Sequence, residues 1–254
     1  LAAKAKELPG LEVIAPARIE ECLRGSARAE IALSTGRKLH AAVVVGCEGR
    51  RSPLREDAGI SLARWDYGQT SIVCTVAHER PHAGVAVELF LPTGPFAMLP
   101  MTGDRSNVVW SESHARAKLL IDLPEEEFLA EQRSRFGAWL GEIALAGPRF
   151  AYPLSLQHAQ RYTAHRLVLA GDAAHGIHPI AGQGFNLGIR DVAALAEILV
   201  DAHRLGLDLG SAAVLDGYER RRRFDNQLLL AVTDGLTRLF SNDIAPLRLA
   251  RDLG

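Results

Sequence analysis

Apolar and polar positions along this chain change their period several times, and each change marks a different element. Leu167 to Ala170 is an unbroken apolar run closed by Gly171, the pattern of a short strand covered on both faces. From Phe185 onward Leu187, Val192, Leu195, Ile198 and Leu199 recur at helical spacing, predicting a helix over 185–205, and a second long helix is predicted over 213–240. Near the start, a short helix over 1–8 precedes strands around Val13 and Ile31 and a strand over 41–45, with Ser34, Thr35 and Gly36 as a turn. From Trp65 the pattern changes to that of meandering strands. Strands are expected over 70–77, 85–91, 96–99 and 108–111, separated by Pro81 to Gly84, Pro92 to Pro95 and Thr102 to Asp104, which have turn compositions. Pro124 and Glu125 to Glu127 place a proline and three acids at the opening of a helix expected to run through Trp139.

These periods give an α/β protein of α+β two-domain organisation, in which an antiparallel sheet is inserted into an α/β domain. The expected boundaries are 1–62 and 161–205 for the split α/β domain, 63–160 for the inserted sheet and 206–254 for a C-terminal helical region. A chain of 254 residues with 48% hydrophobic and 23% charged residues can bury a substantial core and is neither disordered nor fibrous. The net charge of −1 speaks against a general nucleic-acid partner. Cys22, Cys47 and Cys74 show no paired or metal-type spacing, which suits a reducing cytoplasm. No apolar run approaches the roughly 20 residues that a membrane span needs.

The chemistry concentrates after the 167–170 strand. Asp172 lies at its carboxyl end, where open α/β sheets bind ligands, and can accept a hydrogen bond from a sugar hydroxyl; a turn or cap aspartate is the plainer reading. Gly182 and Gly184 leave the backbone bare just before a helix whose first N–H groups are unpaired, a place for something flat or anionic. Asp172, His175 and His178 have a metal-like spacing, but Pro179 and the glycine loop interrupt any helix that would align them, so no metal is assigned. No Gly-x-Ser-x-Gly elbow is present for a hydrolase. Glu48, Arg50, Arg51, Ser52 and Arg55 follow a strand and could reach phosphates or a reductant, or form a solvated surface. Trp65, Tyr67, Phe90, Phe96 and Trp110 are either the wall of a ring pocket or plain core. Arg220 to Arg223 are read as the solvated end of a packed helix whose apolar residues include Leu228, Leu229, Leu230, Leu236 and Leu239, with an anchoring surface as the alternative.

Gly171-Asp172-Ala173-Ala174-His175, followed by His178-Pro179-Ile180-Ala181-Gly182-Gln183-Gly184-Phe185-Asn186-Leu187-Gly188, resembles the second flavin-binding motif of FAD-dependent aromatic hydroxylases, and within them the ubiquinone-biosynthesis branch. Val43 to Arg55 is similar to the family's middle motif, with Glu48-Gly49 where Asp-Gly is usual. Tyr67 to Thr70, His78 to His82 and Gly94 to Pro100 resemble its substrate-domain segments, and Thr233 to Asn242 its C-terminal helix. The family's opening Gly-x-Gly-x-x-Gly turn does not occur here, so the chain is expected to lack about a hundred residues found upstream in relatives.

The resemblance implies an incomplete FAD-binding domain carrying an inserted substrate domain. It implies Glu48, Arg51, Gly171, Asp172, Ala173, Pro179, Gly182, Gln183, Gly184, Phe185 and Asn186 as FAD contacts, with no side chain assigned as catalytic acid, base or nucleophile. The reaction it implies is ring hydroxylation through a C4a-hydroperoxyflavin, using FAD, dioxygen and NAD(P)H or another electron donor, on a polyprenylated phenol. A biosynthetic complex or a peripheral contact at the inner membrane is the partner it suggests for a cytoplasmic enzyme. A hydroxylase of a small soluble phenol, a related reductase or halogenase, and a flavin-incompetent fragment or assembly partner stand as alternatives.

Overall fold

The computed structural model describes residues 2–240, which divide into two compact units. Residues 2–61, 159–174 and 188–224 form the first, and residues 62–158, 175–187 and 225–240 the second. The first unit opens with α1 (Ala2–Glu7) and an antiparallel meander of β1 (Ile19–Arg24), β2 (Ala29–Leu33) and β3 (Lys38–Ala41). Ala29, Ile31 and Leu33 turn inward along β2, and Gly36, at φ 81°, closes the expected turn by donating to the Leu33 carbonyl. No strand forms at Val13: Pro9 and Pro16 flank it, and proline cannot donate to a ladder. The strand expected over 41–45 is instead broken at residues 42–43, because its halves serve different partners. β3 pairs antiparallel with β2, whereas β4 (Val44–Gly46) pairs in parallel elsewhere. α2 (Pro53–Asp57) follows, with Ser52 Oγ accepting the Arg55 N–H and Pro53 at the first turn, where its missing donor costs nothing.

The second unit is built on β5 (Leu62–His78), β6 (Val87–Leu91), β7 (Gly94–Met101) and β8 (Arg105–Ser113), an antiparallel set in the order β5-β8-β7-β6. Ile72, Cys74 and Val76 alternate inward on β5, with Trp110 opposite Ile72 and Phe96 opposite Trp110. α3 (His114–Asp122) and α4 (Glu125–Phe136) cover that face, supplying Ala117, Leu120, Phe128, Leu129 and Phe136 to the core. Phe96 and Trp110 are therefore core residues rather than pocket wall, whereas Trp65 and Phe90 are exposed. α3 begins where Ser113 caps the chain leaving β8, and no sequence pattern announced it. α4 ends at Phe136, with Gly137 at φ 80° as its cap, so Trp139, through which the helix was expected to run, lies outside it. β9 (Ile143–Leu145) pairs with β5, and β10 (Phe150–Ala159) extends the sheet on the other side of β5.

β11 (Thr163–Ala164) and β12 (Leu167–Leu169) complete the first unit's small sheet, in the order β11-β12-β4 with β12 parallel to β4. All three residues of β12 are buried, as its unbroken apolar run predicts. β13 (His175–Gly176) adds to β10 in the second unit. α5 (Gly184–Arg204) and α6 (Ala212–Phe240) are the two expected long helices. The inward stripe of α6 runs Tyr218, Arg222, Asn226, Leu230, Thr233 and Thr237, so several of its buried positions are polar. Leu228, Leu236 and Leu239, expected on its packed face, are exposed, because the buried spacing passes through Leu230 instead.

Arg166 anchors the first unit. Only 2% exposed, it donates to the carbonyls of Gly25, Ser26 and Ala42 and pairs with Asp208. Arg166→Met removes these bonds and the pair with Asp208, and should lower unfolding stability by about 3 kcal/mol in urea titration. An unchanged urea midpoint would show that the anchor contributes nothing.

Candidate flavin site

The strand-end turn is held from several directions within the first unit. Gly171 takes φ 59°, a conformation that favours glycine, and donates its N–H to Asp191 Oδ2 at 2.9 Å. Asp191, fully buried on α5, also accepts from Arg222 Nε at 2.8 Å, which ties α6 to the same carboxylate. A Cβ on Gly188 would lie 3.5 Å from the Gly171 Cα, so two glycines let the start of α5 approach the turn closely. Arg55, 2% exposed, donates Nη1 to the Ala173 carbonyl at 3.0 Å. Ala173 and Ala174 are fully buried behind this clamp, while Asp172 is exposed on its outer side.

The middle motif serves the same unit in a way the sequence did not announce. Glu48 accepts the Leu54 N–H and the Ser52 hydroxyl, each at 3.1 Å, and thereby caps α2. Ser52 and Arg55, which could have reached a ligand or formed a solvated surface, are both buried, one as the helix cap and the other bracing Ala173 and the Arg50 carbonyl. Arg51 is exposed.

In the second unit the loop after β13 carries Pro179, a tight turn over 180–182 and the first residues of α5. Gly182 takes φ 61°, donates to the Pro179 carbonyl at 2.9 Å, and a Cβ there would meet nothing within 4 Å. A Cβ on Gly184 would reach only Ile177, at 4.0 Å. Pro179, Gly182, Phe185 and Asn186 are exposed, and Gln183 Oε1 accepts from Asn186 Nδ2 at 3.4 Å. Leu187 N–H bonds back to the Gln183 carbonyl, but the N–H groups ahead of it precede the helical ladder. Behind the loop Leu156, Ile177, Leu187 and Leu230 form a small core, with Tyr67 and Leu229 packed against it.

His178 is the buried polar member of this loop. Its Nδ1 accepts the Ile180 N–H at 3.1 Å, its Nε2 meets Gln69 Oε1 at 3.3 Å, and its ring packs edge-on against Tyr67. Burial pulls its pKa down to about 4, against a smaller opposing pull from Asp234. The sequence marks His178 by its metal-like spacing and its place in the glycine motif; the bond to a glutamine 109 positions away carries no local signal.

These residues suit FAD on their own chemistry. A glycine facing open space beside helix N–H groups admits a flat ring carrying developing negative charge, and an exposed carboxylate at a strand end suits polyol hydroxyls.

Residues 3–231 match the family described as FAD binding domain, and the chain belongs to that family. It is 57% identical to ubiquinone hydroxylase UbiL of Rhodospirillum rubrum over 97% of its length, and 37% identical to the human mitochondrial ubiquinone biosynthesis monooxygenase COQ6 over 88%. The chain spans 58% and 55% of the lengths of those two relatives. Among solved structures it resembles Pseudomonas aeruginosa PqsL, in complex with 2-aminobenzoylacetate, with a TM-score of 0.77 and 27% identity over 89% of this chain and 64% of that one.

Two outcomes test the geometry. Asp191→Ala removes the carboxylate that accepts from both Arg222 and the Gly171 N–H and should cost at least about 2 kcal/mol by urea titration; a cost within about 0.5 kcal/mol would mean the carboxylate holds nothing. Because the folded pKa of His178 lies below its ordinary value of 6.5, the unfolded chain binds the extra proton between the two values. Stability from this group is present above pH 6.5 and falls as the pH drops towards 4, and His178→Gln should flatten that part of the stability–pH curve. Equal slopes in the two proteins would contradict the assignment.

Proposed function

We propose that this chain supplies the ring-facing part of the FAD site in a hydroxylase that acts on a polyprenylated phenol of ubiquinone biosynthesis. The observation that carries the reading is the stretch from Gly171 to Asn186, where an exposed carboxylate, an unobstructed glycine and a helix N-terminus follow one another in a single motif. The names of the relatives support the reaction and the substrate class. FAD, when bound, supplies the redox chemistry that activates dioxygen, with NAD(P)H as the proposed source of electrons.

The chain's own residues bind and orient. Asp172 accepts from hydroxyls of the cofactor's polyol, with Gly171 and Ala173 presenting their backbone beside it. Pro179 and the backbone of Gly182, Gln183, Gly184, Phe185 and Asn186 face the ring, and the N–H groups at the head of α5 stabilise negative charge there by fixed dipoles. Glu48 and Arg51 are the further proposed contacts, Arg51 through charge-assisted bonds and Glu48 through lone pairs not used in capping α2. No side chain is assigned as acid, base or nucleophile. A polyprenyl tail partitions into lipid, so we place the protein's encounter with substrate at a membrane surface; no helix among the described residues is long and apolar enough to cross a membrane.

Asp172→Ala in the full-length protein should weaken FAD binding at least tenfold while shifting unfolding stability by no more than about 0.5 kcal/mol, since its carboxylate is exposed. Fluorescence titration with FAD, beside urea denaturation, reads both. Wild-type affinity in the variant would remove Asp172 from the site.

A further inference from the structure

The hydrogen bonds of His178 form a chain whose direction is fixed at both ends. Ile180 N–H can only donate, so His178 Nδ1 is unprotonated and the ring proton sits on Nε2. Nε2 then donates to Gln69 Oε1, and Gln69 Nε2 donates to the Thr93 carbonyl at 2.7 Å, which can only accept. Tautomer and amide orientation are thereby both determined. An imidazolium would carry a proton on Nδ1 and lose the Ile180 bond.

The surroundings are built for this chain. Gln69 and His178 are 8% and 0% exposed. Gly94, at φ 137°, begins β7 directly after Thr93; a Cβ there would lie 3.0 Å from Gln69 Nε2 and 2.8 Å from the Ser111 Cβ. The hairpin between β6 and β7 can thus close over the amide only with glycine at this place. The titratable groups facing the imidazole are Tyr67 from β5, whose phenol is pushed up by burial and by Asp234, and Asp234 itself from α6.

We propose that Gln69 and His178 are a positioning pair that registers the 178–180 turn, and with it Pro179 and the first turn of α5, against the β6–β7 hairpin of the antiparallel sheet. This rests on the reading that the loop faces the cofactor ring. Through the pair, the sheet and the loop hold one geometry, and a displaced loop misplaces the reacting partners without removing any group that touches them.

Imidazole 15N NMR of the wild-type protein tests the tautomer without any cofactor. The Nε2–H form should persist from pH 8 to pH 5, whereas an Nδ1–H form, or an imidazolium at pH 6, overturns the proposal. Turnover of the full-length enzyme then tests the role. Gln69→Leu should lower kcat about tenfold or more, with KM and FAD affinity within about twofold. Gln69→Glu keeps an acceptor for Nε2–H but places a carboxylate beside the ring, raising the His178 pKa. Its kcat should stay below wild type at alkaline pH, because the carboxylate has no donor for the Thr93 carbonyl, and fall further on an added acidic limb. A Gln69→Glu profile superimposed on wild type, or an unchanged kcat in Gln69→Leu, overturns the pair's role. Failure of the wild-type protein to bind FAD at all would instead sink the flavin reading, and the NMR result would stand apart from it.

Discussion

The buried carboxylate of Asp191 is the constraint on which the first unit's share of the site depends. A lone carboxylate in such a place would be costly, and it is tolerable because Arg222 and the Gly171 N–H both meet it. One residue thereby joins α5, α6 and the turn at the end of β12. That turn in turn presents Asp172 outward while Ala173 and Ala174 pack behind it. Arg55 closes the clamp from the α2 side, so the middle motif contributes by bracing the turn as well as by any direct contact it makes.

The second unit solves a different problem with different means. Its loop must keep backbone bare on the outer side, which Gly182 does, while remaining fixed on the inner side. An apolar cluster under Leu187 supplies part of that fixation, and His178 supplies the rest by being neutral, buried and bonded at both ring nitrogens. A neutral imidazole is the suitable group here because it donates and accepts at once, which neither a lysine nor a carboxylate can do.

Much of the architecture was legible because its signals are local. The apolar run of β12, the two long helices, the turn-separated strands of the inserted sheet and the glycines of the motif all rest on signals within a few residues. What escaped was set by distant partners. The break between β3 and β4 follows from their pairing with different strands, α3 from a serine cap at the end of β8, and the burial of Arg222 on α6 from a carboxylate on another helix. The same holds around the candidate site: the strand-end position of Asp172 could be read from the sequence, whereas the burial of Arg55 and the Gln69–His178 bond exist only once residues far apart in sequence have met.

The central claim, that the stretch from Gly171 to Leu187 faces FAD, is tested most directly by hydrogen–deuterium exchange of the full-length protein with and without the cofactor. Backbone amides from Gly182 to Asn186 and around Asp172 should slow markedly on adding FAD, while those of α4, in the core of the inserted sheet's outer layer, stay as they are. Unchanged exchange across residues 171–187, with FAD demonstrably bound, would contradict the account.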